Sequence, residues 1–105
     1  MLKLHVLQAQ FGDCLILQCG DEAHPRFVLI DGGPDSTYDS HLKRTLLELL
    51  GAGGSLDLVI LSHVDTDHAI GLLDYFADLL APPADVPSVL ELWHNSFTQT
   101  LGGNI

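Results

Sequence analysis

Four side chains able to ligate a metal stand close together in His63-Val64-Asp65-Thr66-Asp67-His68, directly behind the apolar run Leu58-Val59-Ile60-Leu61. Such a run reads as a buried strand, and a strand fixes where the loop behind it begins, so the loop can bring nitrogen and oxygen donors to one point. In an extended loop His63, Asp65 and Asp67 project to the same side and two of them can reach one ion. His68, adjacent to Asp67, points differently and can serve a second ion close by, which suits a binuclear site. A shuffled chain of this composition would contain His-x-Asp-x-Asp-His in roughly 0.4 per cent of cases, so accident explains it poorly. A helix-start cluster accounts for Asp67 as an N-cap but leaves His63 and Asp65 unexplained. A calcium loop fails because the Asp65, Asp67 series stops at Ala69 and no glycine follows where such loops turn.

The flanking segments supply the framework for that loop. Leu2, Leu4 and Val6 alternate with Lys3, His5 and Leu7, Phe11-Gly12-Asp13 interrupts, and Cys14-Leu15-Ile16-Leu17 resumes, which predicts a hairpin. After a turn through Gly20-Asp21-Glu22-Ala23-His24-Pro25, the run Phe27-Val28-Leu29-Ile30 is apolar enough to be buried on both faces. It stops at Asp31-Gly32-Gly33-Pro34, a loop at a strand's end. Leu42, Leu46, Leu49 and Leu50 mark one face of an amphipathic helix that starts at Asp39 or Ser40 and is closed by Gly51. Leu56 to Leu61 predicts the next strand, and a second helix runs from near His68 to about Leu80, with Ile70, Leu73, Phe76, Ala77 and Leu80 at helical spacing. Pro82-Pro83 ends it, and Val89-Leu90-Glu91-Leu92-Trp93 reads as a further strand. The order βββαβαβ belongs to an α/β sheet covered by helices, one domain or part of one over residues 1–105.

Charge narrows the functions open to such a chain. Its 14 acidic against 4 basic residues give a formal net charge of −10, which offers no bulk electrostatic hold on phosphate backbones. A polyanionic substrate would have to be met by bound metal. Asp31, Asp65 and Asp67 crowd near the loop, a cluster costly to assemble unless a cation neutralises it. Cys14 and Cys19 stand at an odd offset in one expected strand, on opposite faces, so no disulfide joins them. With no signal-type apolar stretch and no membrane-spanning run, a reduced, cytoplasmic setting is expected.

The segment from Ser62 to Leu73, with its His63-x-Asp65-x-Asp67-His68 core, resembles the HxHxDH loop of the metallo-β-lactamase superfamily. Gly12-Asp13-Cys14-Leu15-Ile16-Leu17 resembles the GDxxLI hairpin of that family's competence-protein-like branch, and Ile30-Asp31-Gly32-Gly33 resembles its IDGG motif. The three occur in the family's order. The resemblance implies an αββα sandwich, of which this chain would be the amino-terminal half, with two divalent metal ions activating water against an ester, amide or phosphoester. By position, His63 and Asp65 would bind the first metal and Asp67 and His68 the second, while Asp67, the catalytic carboxylate, would also orient the attacking water. Asp31 would sit at the site's edge, hydrogen-bonding the loop.

Two departures from the family pattern shape the expectation. Asp65 stands where the second histidine usually does, and its harder oxygen admits manganese or iron as well as zinc. A carboxylate there also resembles the flavo-diiron branch, which makes diiron redox chemistry a minor alternative. Family members run to roughly twice this length, and the further ligands and second sheet that the resemblance implies would come from a missing carboxy-terminal half. His94, in Trp93-His94-Asn95-Ser96, is the downstream histidine here that could add a ligand, whereas His5, His24 and His41 are expected at the surface or in turns. A half-domain would expose an apolar sheet face, to be covered by that missing half or by self-association. The expected function is a metal-dependent hydrolase, or a fragment of one, acting on a small-molecule or phosphodiester substrate. Nucleic acid is a candidate that the charge does not support. An inactive remnant or interaction module is the alternative.

Overall fold

The structure, a computed structural model, describes residues 1–9, 12–63 and 66–94, and only the backbone of Thr66 and Asp67. Strands β1 (Leu2–Val6), β2 (Leu15–Gly20) and β3 (Pro25–Ile30) form an antiparallel meander with Leu4 opposite Leu17 and Leu17 opposite Val28. From β3 the chain passes through a π-helical turn (Tyr38–Leu42) directly into α1 (Lys43–Leu50), then a short β4 (Ser55–Leu56), and returns as β5 (Leu58–Leu61), parallel to β3. It crosses again through α2 (Thr66–Leu80) and β6 (Ser88–Val89) to β7 (Leu92–His94), parallel to β5. The sheet order is β1-β2-β3-β5-β7, while β4 and β6 pair separately as a parallel ribbon. This is the expected α/β architecture. No helix among the described residues is long and apolar enough to cross a membrane.

Both crossovers step in the same direction along the sheet, and right-handed connections of that kind place both helices on one face. On that face Ile16, Phe27, Leu29 and Val59 are buried in one core with Tyr38, Leu42, Leu46, Leu72 and Tyr75. The opposite face carries the cross-strand rows Leu4, Leu17, Val28, Leu58 and Val6, Leu15, Ile30, Ile60, Trp93. There Leu2, Leu4, Val6 and Trp93 are 73%, 58%, 72% and 55% exposed. Phe27 to Ile30, expected to be buried on both faces, is therefore buried on one: Val28 and Ile30 are only partly covered, since both helices lie on the other side. Cys14 belongs to the covered core and Cys19 to the open face, both as free thiols.

Two runs expected to be single strands are each broken once, at matching positions. The Asp57 carboxylate accepts the Phe27 N–H at 2.9 Å and the Asp57 N–H donates to the Phe27 carbonyl at 3.0 Å, which separates β4 from β5. Opposite this break, Leu90 donates to the Leu56 carbonyl and Val59 to the Glu91 carbonyl, separating β6 from β7. The π-turn and α1 together show the expected stripe, with Leu42 and Leu46 buried and Leu49 and Leu50 against the core, and α1 ends at Gly51 with φ 76°.

The face of α2 is not the expected one. Leu73 and Leu80 are 64% and 85% exposed, whereas Gly71, Leu72 and Tyr75 are buried. Backbone approach decides this rotation: Gly71 N–H donates to the Gly33 carbonyl at 3.0 Å, Gly32 N–H donates to the His68 carbonyl at 2.8 Å, and a Cβ on either Gly32 or Gly71 would run into the other's backbone. Only paired glycines let the helix lie this close to the loop after β3.

Candidate metal centre

Parallel strands that end side by side leave a crevice at their carboxyl ends, and here the ends are those of β3 and β5. Asp31 follows β3 directly, and its N–H donates to the Ile60 carbonyl at 2.8 Å, tying the two strand ends together. Its backbone has φ 61°, a left-handed conformation that Asp tolerates better than most side chains. The carboxylate is 2% exposed. A buried charge needs partners, and Asp31 has three. Oδ1 accepts the Ser62 N–H at 2.7 Å, and Oδ2 accepts both the Ser62 hydroxyl at 2.6 Å and His68 Nδ1 at 3.0 Å.

The histidines converge on this carboxylate. His68 stands in the first turn of α2, half-buried, and its carbonyl receives the Gly32 N–H, so the glycine crossing that orients the helix also places this ring. His63, exposed in the loop after β5, has Nδ1 at 3.0 Å from the Ser62 hydroxyl oxygen. The two rings lie with centroids 5.0 Å apart at an interplanar angle of 38°. Asp13, 62% exposed, brings a carboxylate oxygen to 3.7 Å from His68 Nδ1. One ligand atom from each of Asp13, Asp31 and His68 falls within 4.8 Å of the others. Imidazole nitrogen with carboxylate oxygen is a donor set for zinc, manganese or iron, so His68 and the exposed Asp13 suit a divalent cation, while Asp31, already holding three donors, orients its neighbours. Nearby, burial first and the Asp31 charge second push the Cys14 thiol from 9.0 up to about 12.

Of the four predicted ligands, His63 and His68 are brought together, while Asp65 and the Asp67 side chain lie outside the described residues. The Asp67 backbone is already inside α2, so Asp67 is not its N-cap. His94 ends β7 opposite Leu61, exposed, lining a recess with Ile60, Ser62 and Trp93 rather than joining the group around Asp31. His5 bonds Gln18 at 2.9 Å and His24 is exposed in its turn.

Two site residues escaped the sequence reasoning, Asp13 and Ser62. The antiparallel register of Leu15 with Ile30 places whatever precedes β2 beside whatever follows β3, so pairing Gly12-Asp13 with Asp31 was within reach once the hairpin was drawn. Ser62 carried no spacing signal, since a lone hydroxyl behind a strand fits many roles.

A sequence model of the family described as the metallo-beta-lactamase superfamily matches residues 14–101. No match was found among curated proteins, and none among solved structures.

Proposed function

Because the chain belongs to the metallo-β-lactamase superfamily over residues 14–101, we propose that it supplies His63, Asp65, Asp67 and His68 to a binuclear hydrolytic centre holding zinc, with manganese or iron as the alternatives. The observation that carries this reading is the pairing of the His63 and His68 rings at 5.0 Å, above a buried carboxylate that bonds one of them directly. Two such cations, when bound, lower the pKa of a shared water and stabilise negative charge on a substrate oxygen. The chain's own residues do the positioning. Asp67, in the first turn of α2, orients the attacking water, and Asp31 holds the strand ends and the loop in place. Asp13 stands at the exposed rim, where a substrate would arrive.

The substrate in this reading is a phosphodiester or another ester of modest size. The hairpin motif Gly12-Asp13-Cys14-Leu15-Ile16-Leu17 favours the phosphodiester, while the net charge of −10 gives a long polyanion no general attraction. The open sheet face supports the view that this segment is one half of a domain. A second layer about 10 Å away would cover its apolar rows, supplied either by further chain of the same protein or by a second copy. A free thiol on each face of the sheet suits a reducing, cytoplasmic setting.

Metal content and turnover test the reading together. A longer chain carrying the downstream ligands should hold two equivalents of zinc by elemental analysis and hydrolyse a chromogenic phosphodiester in dependence on added zinc or manganese. Turnover by the 105-residue chain should be weak at low concentration and rise per chain where a partner covers the open face. Asp67→Ala should abolish it, and unchanged turnover in that variant would defeat the mechanism.

A further inference from the structure

Hydrogen-bond bookkeeping around Asp31 reaches further than the placement of a loop. A carboxylate only accepts, so each group facing Asp31 must bring the proton. His68 therefore carries its proton on Nδ1, at 3.0 Å from Oδ2. Ser62 has one hydroxyl proton, and it is directed to Oδ2 at 2.6 Å. Toward His63 the same oxygen can then act only as an acceptor, so His63 Nδ1, at 3.0 Å, is the donor. One buried carboxylate thus sets the tautomer of two imidazoles, the first by contact and the second through a hydroxyl.

We propose that Ser62 is a positioning residue, relaying the acceptor character of Asp31 to His63 so that both histidines are held as Nδ1–H tautomers and both present Nε2 to the metal. The proposal rests on the binuclear reading above for its purpose, though not for its geometry. Neutral histidine otherwise exchanges its proton between the two nitrogens, and a ring with the proton on the inward atom cannot ligate without turning over. Fixing the tautomer in advance removes that step, as outer partners of metal-bound histidines commonly do. Ser62 is well placed for it, because its own N–H is anchored on Oδ1 at 2.7 Å and the hydroxyl has little freedom to leave.

The experiment is a long-range proton–nitrogen correlation of the imidazole rings in metal-free, nitrogen-15-labelled chain, recorded in alkaline buffer. Both His63 and His68 should show a protonated Nδ1 and an unprotonated Nε2. In Ser62→Ala, His63 should lose that preference while His68, still bonded to Asp31, keeps it, and Ser62→Thr should restore it. Zinc affinity by calorimetry should weaken roughly tenfold in Ser62→Ala and recover in Ser62→Thr. Wild-type His63 protonated on Nε2 would overturn the relay before any variant is made, as would a His63 signal indifferent to loss of the hydroxyl. Zinc that binds wild type and Ser62→Ala alike would sink the relay and leave the binuclear reading standing. Correct tautomers in a chain that takes up neither zinc nor manganese would overturn the binuclear reading, and with it the purpose assigned to Ser62.

Discussion

The two faces of the five-stranded sheet are built from rows of comparable apolarity and meet opposite fates. On one side Ile16, Leu29 and Val59 have no exposure at all; on the other, Leu4 and Val6 remain 58% and 72% exposed. Composition does not explain the contrast, whereas connectivity does: two crossovers stepping the same way bring both helices to one side. Apolar rows announce that a face will be covered, and topology decides which cover this segment provides. The cysteines report the same division. Cys14 has its thiol pushed up beneath the helices, and Cys19 lies among the uncovered rows.

The covered side should be broken most severely at the glycine crossing. Gly71→Ala drives a methyl into the Gly32 backbone, and neither segment can retreat without dragging α2 or the end of β3. A loss of about 4 kcal/mol or more is expected, or no cooperative urea transition at all. The next test compares neighbours in one strand. Leu29→Ala should destabilise by about 3 kcal/mol and Val28→Ala by about 1 kcal/mol, because the first empties a fully enclosed site and the second trims a partly open one. Equal losses in urea titrations would mean that the second face is covered in solution.

Alkaline pH probes the covered side alone. Cys14 is raised from 9.0 to about 12, by burial and then by Asp31. Tyr38 and Tyr75 are raised as well, mainly by burial. Groups whose folded pKa lies above the unfolded value contribute stability in full below the unfolded pKa and lose it as pH rises through the folded one. Stability should therefore hold up to pH 9.0 and decline toward about 12, with the onset delayed in Cys14→Ala, as followed by chemical denaturation across that range. The smallest effect belongs to the open face. Leu4→Ser should shift monomer stability by no more than about 0.5 kcal/mol, yet reduce self-association in sedimentation velocity. A large stability loss there would show Leu4 packed against something.

Much of this architecture is legible in the sequence. Alternation in Leu2 to Val6, the leucine spacing of α1 and the loop behind Leu61 each carried a local signal that packing did not override. The rotation of α2 was not legible, because its apolar arc is wide and more than one stripe within it could face the sheet. What chose among them was a backbone contact with Gly32, more than thirty residues upstream, which no window of sequence displays. The breaks at Asp57 and at Leu90 were hidden for a similar reason, since each depends on a partner strand's carbonyls. Within the site, residue types were readable and their bonding was not. Asp31 bonds the loop through Ser62 as expected, but its further bond to His68 carried no signal in the sequence.

Those three bonds also bear on what holds the crevice together. Where ligands are gathered only by their ion, as in small zinc modules, the apoprotein is unfolded and assembly waits on metal supply. Here the strand ends and the loop behind β5 are tied by main-chain bonds and by one carboxylate, so the frame of the crevice is written into the polypeptide's own contacts.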